Sequence, residues 1–504
     1  MPALAALAAL ALAADVAAEP AAQEAPGVSA PSPQEAPGVA APSPQEPPPF
    51  AAPPPKYGPN RFRLLPPYTD PGFIKGPVPP PDKNYGVALV EVVLIDTSIW
   101  AFNYLRGKEF AKISWDSIEH NFDKGWIIDT DDFWANGLGH PLHGNLTFNA
   151  ARTLGLNFYE SFAYSFFGSF LWEQFAEIQP PSMNDQVNTP FGGTMVGESL
   201  FRLSRLILDT GGYKPSVWRE FFAFLFNPMG GLNRLFYGDK YRGELMLPAS
   251  WIGQFRFGTV VAGSSRSDRA DSRETDVGPW ASFGAYIVYG VPGTPGLSLS
   301  KPFDHFEASA SISLTSDVTT KPTATLIARG LLLGEPLGPG GESGGLWGLF
   351  TSYDFIAPNV FRVQGFGLGP GVSLMKQWGW FELHGTGVLE LLPWAGGGST
   401  VPLGVRDYHY GPGGEALLQF RAHFSDRVIV RLEGRQYFVT GAYARGGSEA
   451  VSYGKLETTV RVQDVHGISA TLDWGHRQAS YFGEPDIWQR ASIFSLYYTL
   501  IQGW

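Results

Sequence analysis

The chain has 504 residues, a net charge of −11, 16% charged and 14% aromatic residues, 61 glycines and no cysteine. So few basic residues on an acidic chain argue against a nucleic-acid partner. The missing thiols exclude disulfides, thiolate metal sites and thiol catalysis.

The first residues, "MPALAALAALALAADVAAEP", form a short apolar run followed by small residues suited to cleavage near Ala14 or Ala18. This resembles a secretory leader. No Lys or Arg precedes Lys56, so residues 1–19 are either a truncated leader or a plain Ala-rich tail. From Gln23 the chain repeats "QEAPGVSAPSP" and "QEAPGVAAPSP". Pro and Ala at this density build no packed core, and residues 20–82 read as a disordered linker.

Residues 83–248 carry helical periodicity. "YGVALVEVVLIDTSIWAFNYL" (Tyr85 to Leu105) reads as a helix or a buried strand. Its two acids make a poor membrane span. From Phe148 to Glu177, Ala151, Leu154, Phe158, Phe162, Phe166, Phe170 and Phe175 make one wide apolar stripe. Asn145 or Thr147 caps its start, and Pro180-Pro181 ends it. A second helix opens at Ser182, where Ser-x-x-Asp is a capping-box variant. It bends near Pro190 and stops at Gly211-Gly212. A short aromatic helix, "SVWREFFAFLF", follows.

From about residue 249 the period changes to two. In "FEASASISL", Phe306, Ala308, Ala310, Ile312 and Leu314 alternate with Glu307 and serines. "EALLQFRAHF", "RVIVRLEGR", "KLETTVRVQ", "GISATLDWG" and "FELHGTGVLE" alternate likewise. Each such strand has one apolar and one polar face. Segments of roughly 9–13 residues suit tilted membrane-crossing strands. Tyr and Trp cluster at the segment ends, as interfacial girdles do. The final segment ends on Trp504, a terminal aromatic similar to the insertion signal of outer-membrane barrels. About twelve segments lie between Trp251 and Ile501, and an even number closes an antiparallel barrel without a bare edge. The polar row holds Glu382, His384, Glu390, Glu415, Arg421, His423, Arg427, Arg431, Glu433, Arg435, Glu457 and Arg461, a mixed-sign set that suits a hydrated or plugged lumen better than a selective pore.

The runs "GHPLHGNLTFNAARTLG", "GSFLWEQFAE" and "PPSMNDQVNTPFGGTMVGESLFRLSR" resemble the family called domain of unknown function 3943, over roughly residues 115–210. That resemblance implies an exported bacterial protein and no defined reaction. A looser likeness to VanZ-like membrane proteins falls on Glu173 or Glu177, Asp185, Asn188, Gly193 and Gly197.

Read residue by residue, Glu173 and Glu177 share one helix face and repel unless a cation, a proton or a buried Arg separates them. Arg152, Arg202 and Arg205 are the candidate partners. Glu198 and Arg202 sit at i,i+4. Gly193-x-x-x-Gly197 permits close helix approach. A purely structural network of Arg152, Trp172, Ser182, Asn188, Gly193, Gly197, Glu198 and Arg202 is one expectation. The other joins His140 and His143 to Glu173, Glu177 and Asp185 as a catalytic or hard-ligand set. Pro141 argues against a regular helix through both imidazoles, no metal motif is recognised, and no cofactor motif is found.

The fold class expected is therefore α+β: an N-terminal helical domain followed by a C-terminal antiparallel transmembrane β-barrel of about 12 strands, residues 249–504. The location expected is the cell outer membrane, with the helical domain periplasmic or inside the barrel. Outer-membrane lipid and the barrel assembly machinery are the partners expected, and nothing in the sequence sets the oligomeric state. The function expected is an envelope barrel plugged or capped by its helical domain, in a structural or transport role. The alternatives are a membrane-embedded hydrolase or transferase acting on lipid or lipopolysaccharide, and a soluble β-sandwich binding module.

Overall fold

The computed structural model describes residues 82–503 except 130, 213, 242–249, 269–279, 315–322, 339, 359, 399–407 and 444–445. The leader, the linker and Trp504 lie outside the described residues. Helices come first: α1 (Tyr85–Leu105), α2 (Trp115–Lys124), α3 (His140–Arg152), α4 (Phe158–Phe175), α5 (Met183–Val187), α6 (Gly193–Asp209), α7 (Val217–Phe226) and α8 (Pro228–Tyr237). Twelve strands follow: β1 (Trp251–Ser267), β2 (Trp280–Tyr289), β3 (Phe306–Leu314), β4 (Thr323–Leu337), β5 (Ser343–Ala357), β6 (Val363–Trp378), β7 (Phe381–Gly398), β8 (Tyr408–Phe424), β9 (Val428–Thr440), β10 (Ser448–Gln463), β11 (His466–Ser480) and β12 (Ile487–Gln502).

All twelve strands form one closed antiparallel barrel, with β1 paired to both β2 and β12. A two-layer sandwich is therefore excluded. The start of β1 and the end of β12 share one rim, called here the terminal rim; the other is the far rim.

Local chemistry explains the helices. Asn157 accepts from the backbone N–H of Glu160, whose carboxylate accepts from that of Asn157, a reciprocal cap at the start of α4. The single stripe read from Phe148 to Glu177 is two helices, broken at Gly155 with φ +88°. Pro141 does not break α3. The chain enters α3 through a π-helical turn, Ala135–Gly139, and Pro141 follows it directly, where the widened turn accommodates the missing N–H. Both His140 and His143 therefore sit on α3. Around Pro190 the chain makes a π-helical turn, Asn188–Gly192, and continues as α6. Gly144 of α3 meets Gly193 of α6 so closely that an added Cβ on Gly193 would lie 2.5 Å from the Gly144 carbonyl carbon.

The lumen is packed. Its ion pairs cross between strands, Arg329–Glu415 at 2.9 Å, Arg435–Asp354 at 2.8 Å, Arg431–Glu457 at 2.8 Å and Lys455–Asp473 at 3.0 Å, and one runs along β9, Arg435–Glu433 at 2.6 Å. Arg427, expected in this row, instead lies exposed in the turn before β9. Leu297 and Leu299 of the β2–β3 connection pack on the inward Leu331, Leu346, Phe350, Val388 and Leu417. Phe361 of the β5–β6 connection packs on the inward Ile327, Val363, Leu392 and Tyr437 nearer the far rim.

The helices do not fill this lumen. Every strand residue they touch faces outward. Phe133 stacks on Phe355 at 5.2 Å and Phe191 on Phe366 at 4.3 Å. Tyr353 donates its hydroxyl to the Gly137 carbonyl at 2.8 Å, and Asn188 donates to the Tyr410 hydroxyl at 3.0 Å. Register places Tyr353 opposite Phe366 and Phe355 opposite Gln364, on the face opposite Asp354. A core of Phe148, Phe158, Met195, Val196 and Leu206 with Tyr289, Phe306, Ala324, Ala328, Tyr353 and Phe355 unites the two parts. The helical domain, expected to plug or cap the barrel, packs here on outward-facing residues from β1 to β8. The reason is visible in side-chain size. Beneath the helices the outward rows carry Ala308, Ala310, Ala324, Ala328 and Gly330, which let a helix approach. Where nothing covers the wall, they carry Leu418, Phe420, Leu432, Leu456, Ile468, Leu472, Phe494 and Leu496, all exposed.

Ala328 is 1% exposed beneath the cladding. Ala328→Leu should lower the unfolding free energy measured in urea by about 1–3 kcal/mol through overpacking and release the helices to protease. Leu456→Ala on the bare wall should do neither.

Candidate functional site

The arginines are allocated first. Glu198, fully buried, accepts from Arg152 Nε at 2.7 Å and from Arg202 Nε at 2.9 Å. Arg202 also donates to Asp304 at 3.0 Å and to the Pro302 carbonyl at 2.6 Å, and lies over the Tyr289 ring. Arg205 pairs with Asp209 at 3.0 Å. None of the three faces Glu173 or Glu177, contrary to the pairing expected. The glycine-lined crossing also differs from expectation, since it joins α6 to α3 rather than to the acidic helix.

The remaining acids gather with His140 towards the far rim. His140 Nε2 lies 3.3 Å from Asp185 Oδ2. The Asp185 and Asp129 carboxyls are hydrogen-bonded to one another, which requires a shared proton. Asn184 donates to Asp129 Oδ1 at 2.8 Å and to Asn136 Oδ1 at 2.8 Å, and Asn136 donates to the Tyr408 hydroxyl at 2.5 Å. Glu173 accepts from the Ser182 backbone N–H at 2.7 Å, while the Ser182 side chain caps α5 at Asp185. Glu177 accepts from the Trp172 indole. His143 goes elsewhere. Its Nε2 is 2.7 Å from Asp96 of α1, and its ring meets Trp172 edge-on.

These groups border a cleft of about 290 Å³ lined by Phe110, Ile127, Asp129, Asp131, His140, Trp172, Glu177 and Ser182 among others. No lysine or arginine is among the described residues that line it. Burial, reinforced by the neighbouring Asp131 charge, pushes the Glu177 carboxyl up to about 8. Burial, with Asp129 and Asp132 beside it, pushes Asp131 up to about 6. Burial works the same way on Asp129, but hydrogen bonds from Asp185, Asn184 and Asn136 hold it below the usual carboxylate range. Glu177 is thus kept neutral at pH 7 beside Asp129 kept ionised, the separation that general acid–base work requires.

Of the candidates read from sequence, Glu173, Glu177, Asp185 and His140 come together, with Trp172 and Ser182 in their border. His143 does not join them. Arg152, Glu198 and Arg202 form a separate buried triad, and Asn188 ties the bundle to the wall. Sequence reading missed Asp129, Asp131, Asn136 and Asn184. The run "IIDTDDFWAN" was the available signal, but an acid-rich stretch between helices reads as a solvated loop.

Residues 125–229 match the family model described as Domain of unknown function (DUF3943). No curated protein matches the chain. Among solved structures, the CymD monoaromatic hydrocarbon channel is similar at 10% identity, covering 51% of this chain and 89% of its own, with a TM-score of 0.23. The outer membrane protease OmpT from Escherichia coli is similar at 9% identity, covering 50% and 97%, with a TM-score of 0.22. The Pseudomonas putida toluene transporter TodX is similar at 7% identity, covering 51% and 90%, with a TM-score of 0.22.

Two outcomes follow from this electrostatics. Glu198→Gln leaves two buried guanidiniums short of a counter-charge and should destabilise the fold by about 3–5 kcal/mol in chemical unfolding. Glu177 and Asp131 are held neutral by folding, so their contribution is full below the usual carboxylate value and is lost as pH rises through about 6 and then about 8. Melting of the detergent-solubilised protein should therefore fall from about pH 5 to about pH 9, and Glu177→Gln should flatten the upper part of that fall.

Proposed function

We propose that this protein is an outer-membrane barrel clad on one side by a lipid-embedded helical domain, whose His140–carboxylate cleft hydrolyses an ester-type linkage of a membrane lipid. The closed ring and its bare apolar rows support the membrane setting, because in hydrocarbon every backbone amide must be paired. If the barrel spans, the cladding lies at the same depth. From Asn188 at Tyr410 to Arg202 at Asp304 is fourteen residues, roughly 21 Å of helix at ~1.5 Å per residue. That is close to the ~25 Å apolar band of such barrels.

The helical domain's own surface agrees. α1 is long and apolar enough to cross a membrane. Its two acids, which had argued against a span, face the bundle: Glu91 accepts from Asn233 and Asp96 meets His143. Leu89, Val90, Val93 and Leu94 face out, as do Phe166 and Phe167 of α4 and Trp218, Phe221, Phe222 and Leu225 of α7. Buried polar side chains and exposed apolar ones are the arrangement lipid demands.

The connections favour one orientation. Three of the five connections at the terminal rim, β6–β7, β8–β9 and β10–β11, are two or three residues long, the other two, β4–β5 and β2–β3, being five and sixteen, whereas those at the far rim run from five to twelve. Short turns face the periplasm in barrels of this kind. The cleft then opens in the outer leaflet, at headgroup level.

The observation that carries the catalytic reading is the cleft itself, lined by the His140 imidazole and the carboxyls of Asp129, Asp131 and Glu177, with Asp185 against the imidazole and no lysine or arginine among the described lining residues. In the step proposed, Asp185 holds the His140 ring, and His140 takes a proton from water. The water oxygen bonds to the acyl or phosphoryl centre, the bond to the leaving oxygen breaks, and neutral Glu177 protonates that oxygen. An acid and an alcohol result. A second reading, a barrel with a purely structural envelope role, is favoured by the packed lumen.

The test uses the purified protein in vesicles of outer-membrane lipid, with released products followed by mass spectrometry. His140→Ala and Asp185→Asn should each lower turnover by about 10²–10⁴-fold, the range for a general base, while heat-modifiable migration on a gel is kept. Equal turnover in wild type and both variants would remove the catalytic reading and leave the structural one.

A further inference from the structure

Far from the cleft, inside the barrel near the terminal rim, Glu382, His384 and His423 converge. Glu382 and His384 are two apart on β7 and project to the same side. Register sets Glu382 directly opposite His423 on β8. One donor atom from each lies within 4.8 Å of the other two, and all three residues are buried. Their positions are fixed by ladder pairing rather than by flexible loops.

The donor chemistry is selective. His384 Nε2 is 2.6 Å from Glu382 Oε1. With that nitrogen engaged, the other ring nitrogen of His384, Nδ1, is buried without a hydrogen-bond partner. A buried ring nitrogen without a partner is costly in either tautomer. The nearest guanidinium does not supply one, since Arg421 Nη1 is directed to the Tyr286 hydroxyl at 3.1 Å and towards Glu307 at 3.9 Å. Met375 stands opposite His384 on β6 and is also buried, which keeps the pocket apolar on that side.

We infer that Glu382, His384 and His423 form a binding site for a divalent transition-metal ion of the zinc type inside the barrel wall. Two imidazoles and one carboxylate are a sufficient set for such an ion with at least one position left for water. Binding displaces any proton held between Glu382 and His384, so affinity rises with pH. The ion bridges β7 to β8 just above the short turn that joins β8 to β9. It acts on the barrel's stability, independently of the lipid cleft.

The experiment uses the full refolded protein in detergent, stripped with chelator and titrated with Co²⁺ and then Zn²⁺. Expected are a visible absorption band of four- or five-coordinate Co²⁺ that saturates at one equivalent, its displacement by Zn²⁺, and an upward shift of the melting temperature with either metal. His423→Ala and His384→Ala should weaken binding by more than the ~10–100-fold that loss of an outer-shell partner costs. Glu382→Gln should weaken it while preserving the fold, and His140→Ala should leave the band unchanged. A band that survives His423→Ala with the same affinity, or no saturable band in a folded wild-type protein, overturns the site.

Discussion

The pairing of β1 with β12 is the constraint from which the rest follows. Fourteen residue pairs run along that seam, from Gly253 with Gln502 to Ser267 with Gln489, interrupted by one bulge between Val260 and Ala262. With the ring closed, no strand offers unpaired amides to hydrocarbon. Side chains must then choose between two solvents. Inward rows meet one another across a narrow lumen and carry paired charge, while outward rows meet whatever surrounds the barrel. Everything distinctive about this chain concerns what that surrounding is.

On one side it is the chain's own helices. Outward Tyr289, Tyr353, Phe355, Phe366, Tyr408 and Tyr410 are large and several carry a hydroxyl, whereas Ala308, Ala310, Ala324 and Ala328 between them are small. Large residues grip the bundle at its margins, and the small ones leave a trough for α6. The hydroxyls of Tyr353 and Tyr410 bond to Gly137 and Asn188. These bonds join two π-helical turns, Ala135–Gly139 and Asn188–Gly192, to the wall, where the backbone departs from regular helix and exposes groups that need partners.

The barrel was legible because alternation at period two is a local signal: Phe306, Ala308, Ala310 and Ile312 share a face whatever that face meets. The side on which the helices lie was not legible from that pattern. An outward Phe355 is written identically whether it faces lipid or Phe133. The signal that separates the two is residue volume, alanine on β3 and β4 against leucine and phenylalanine on β8 to β12, and it acquires meaning only once the strands are placed side by side. The site shows the same division. Glu173, Glu177 and Asp185 stood out as acids in apolar sequence. The partners assigned to them failed because i,i+4 reasoning ends at one helix, and Arg152 on α3 reaches Glu198 on α6 instead of an acid on α4.

The allocation of cations is the last step. Lumenal arginines neutralise lumenal acids across strands, and Arg152 and Arg202 bracket Glu198 at the bundle's end nearer the terminal rim. Desolvated charge is expensive when unpaired, so a fold that merely needed stability would have extended the same treatment to the far-rim acids. There the balance is kept by protons: one shared between Asp129 and Asp185, one held on Glu177, one on Asp131 at mildly acidic pH. Protons leave and return, whereas an arginine stays. A cluster that stores neutral carboxyls beside an imidazole is what the proposed reaction needs, because it can exchange protons with something that enters the cleft.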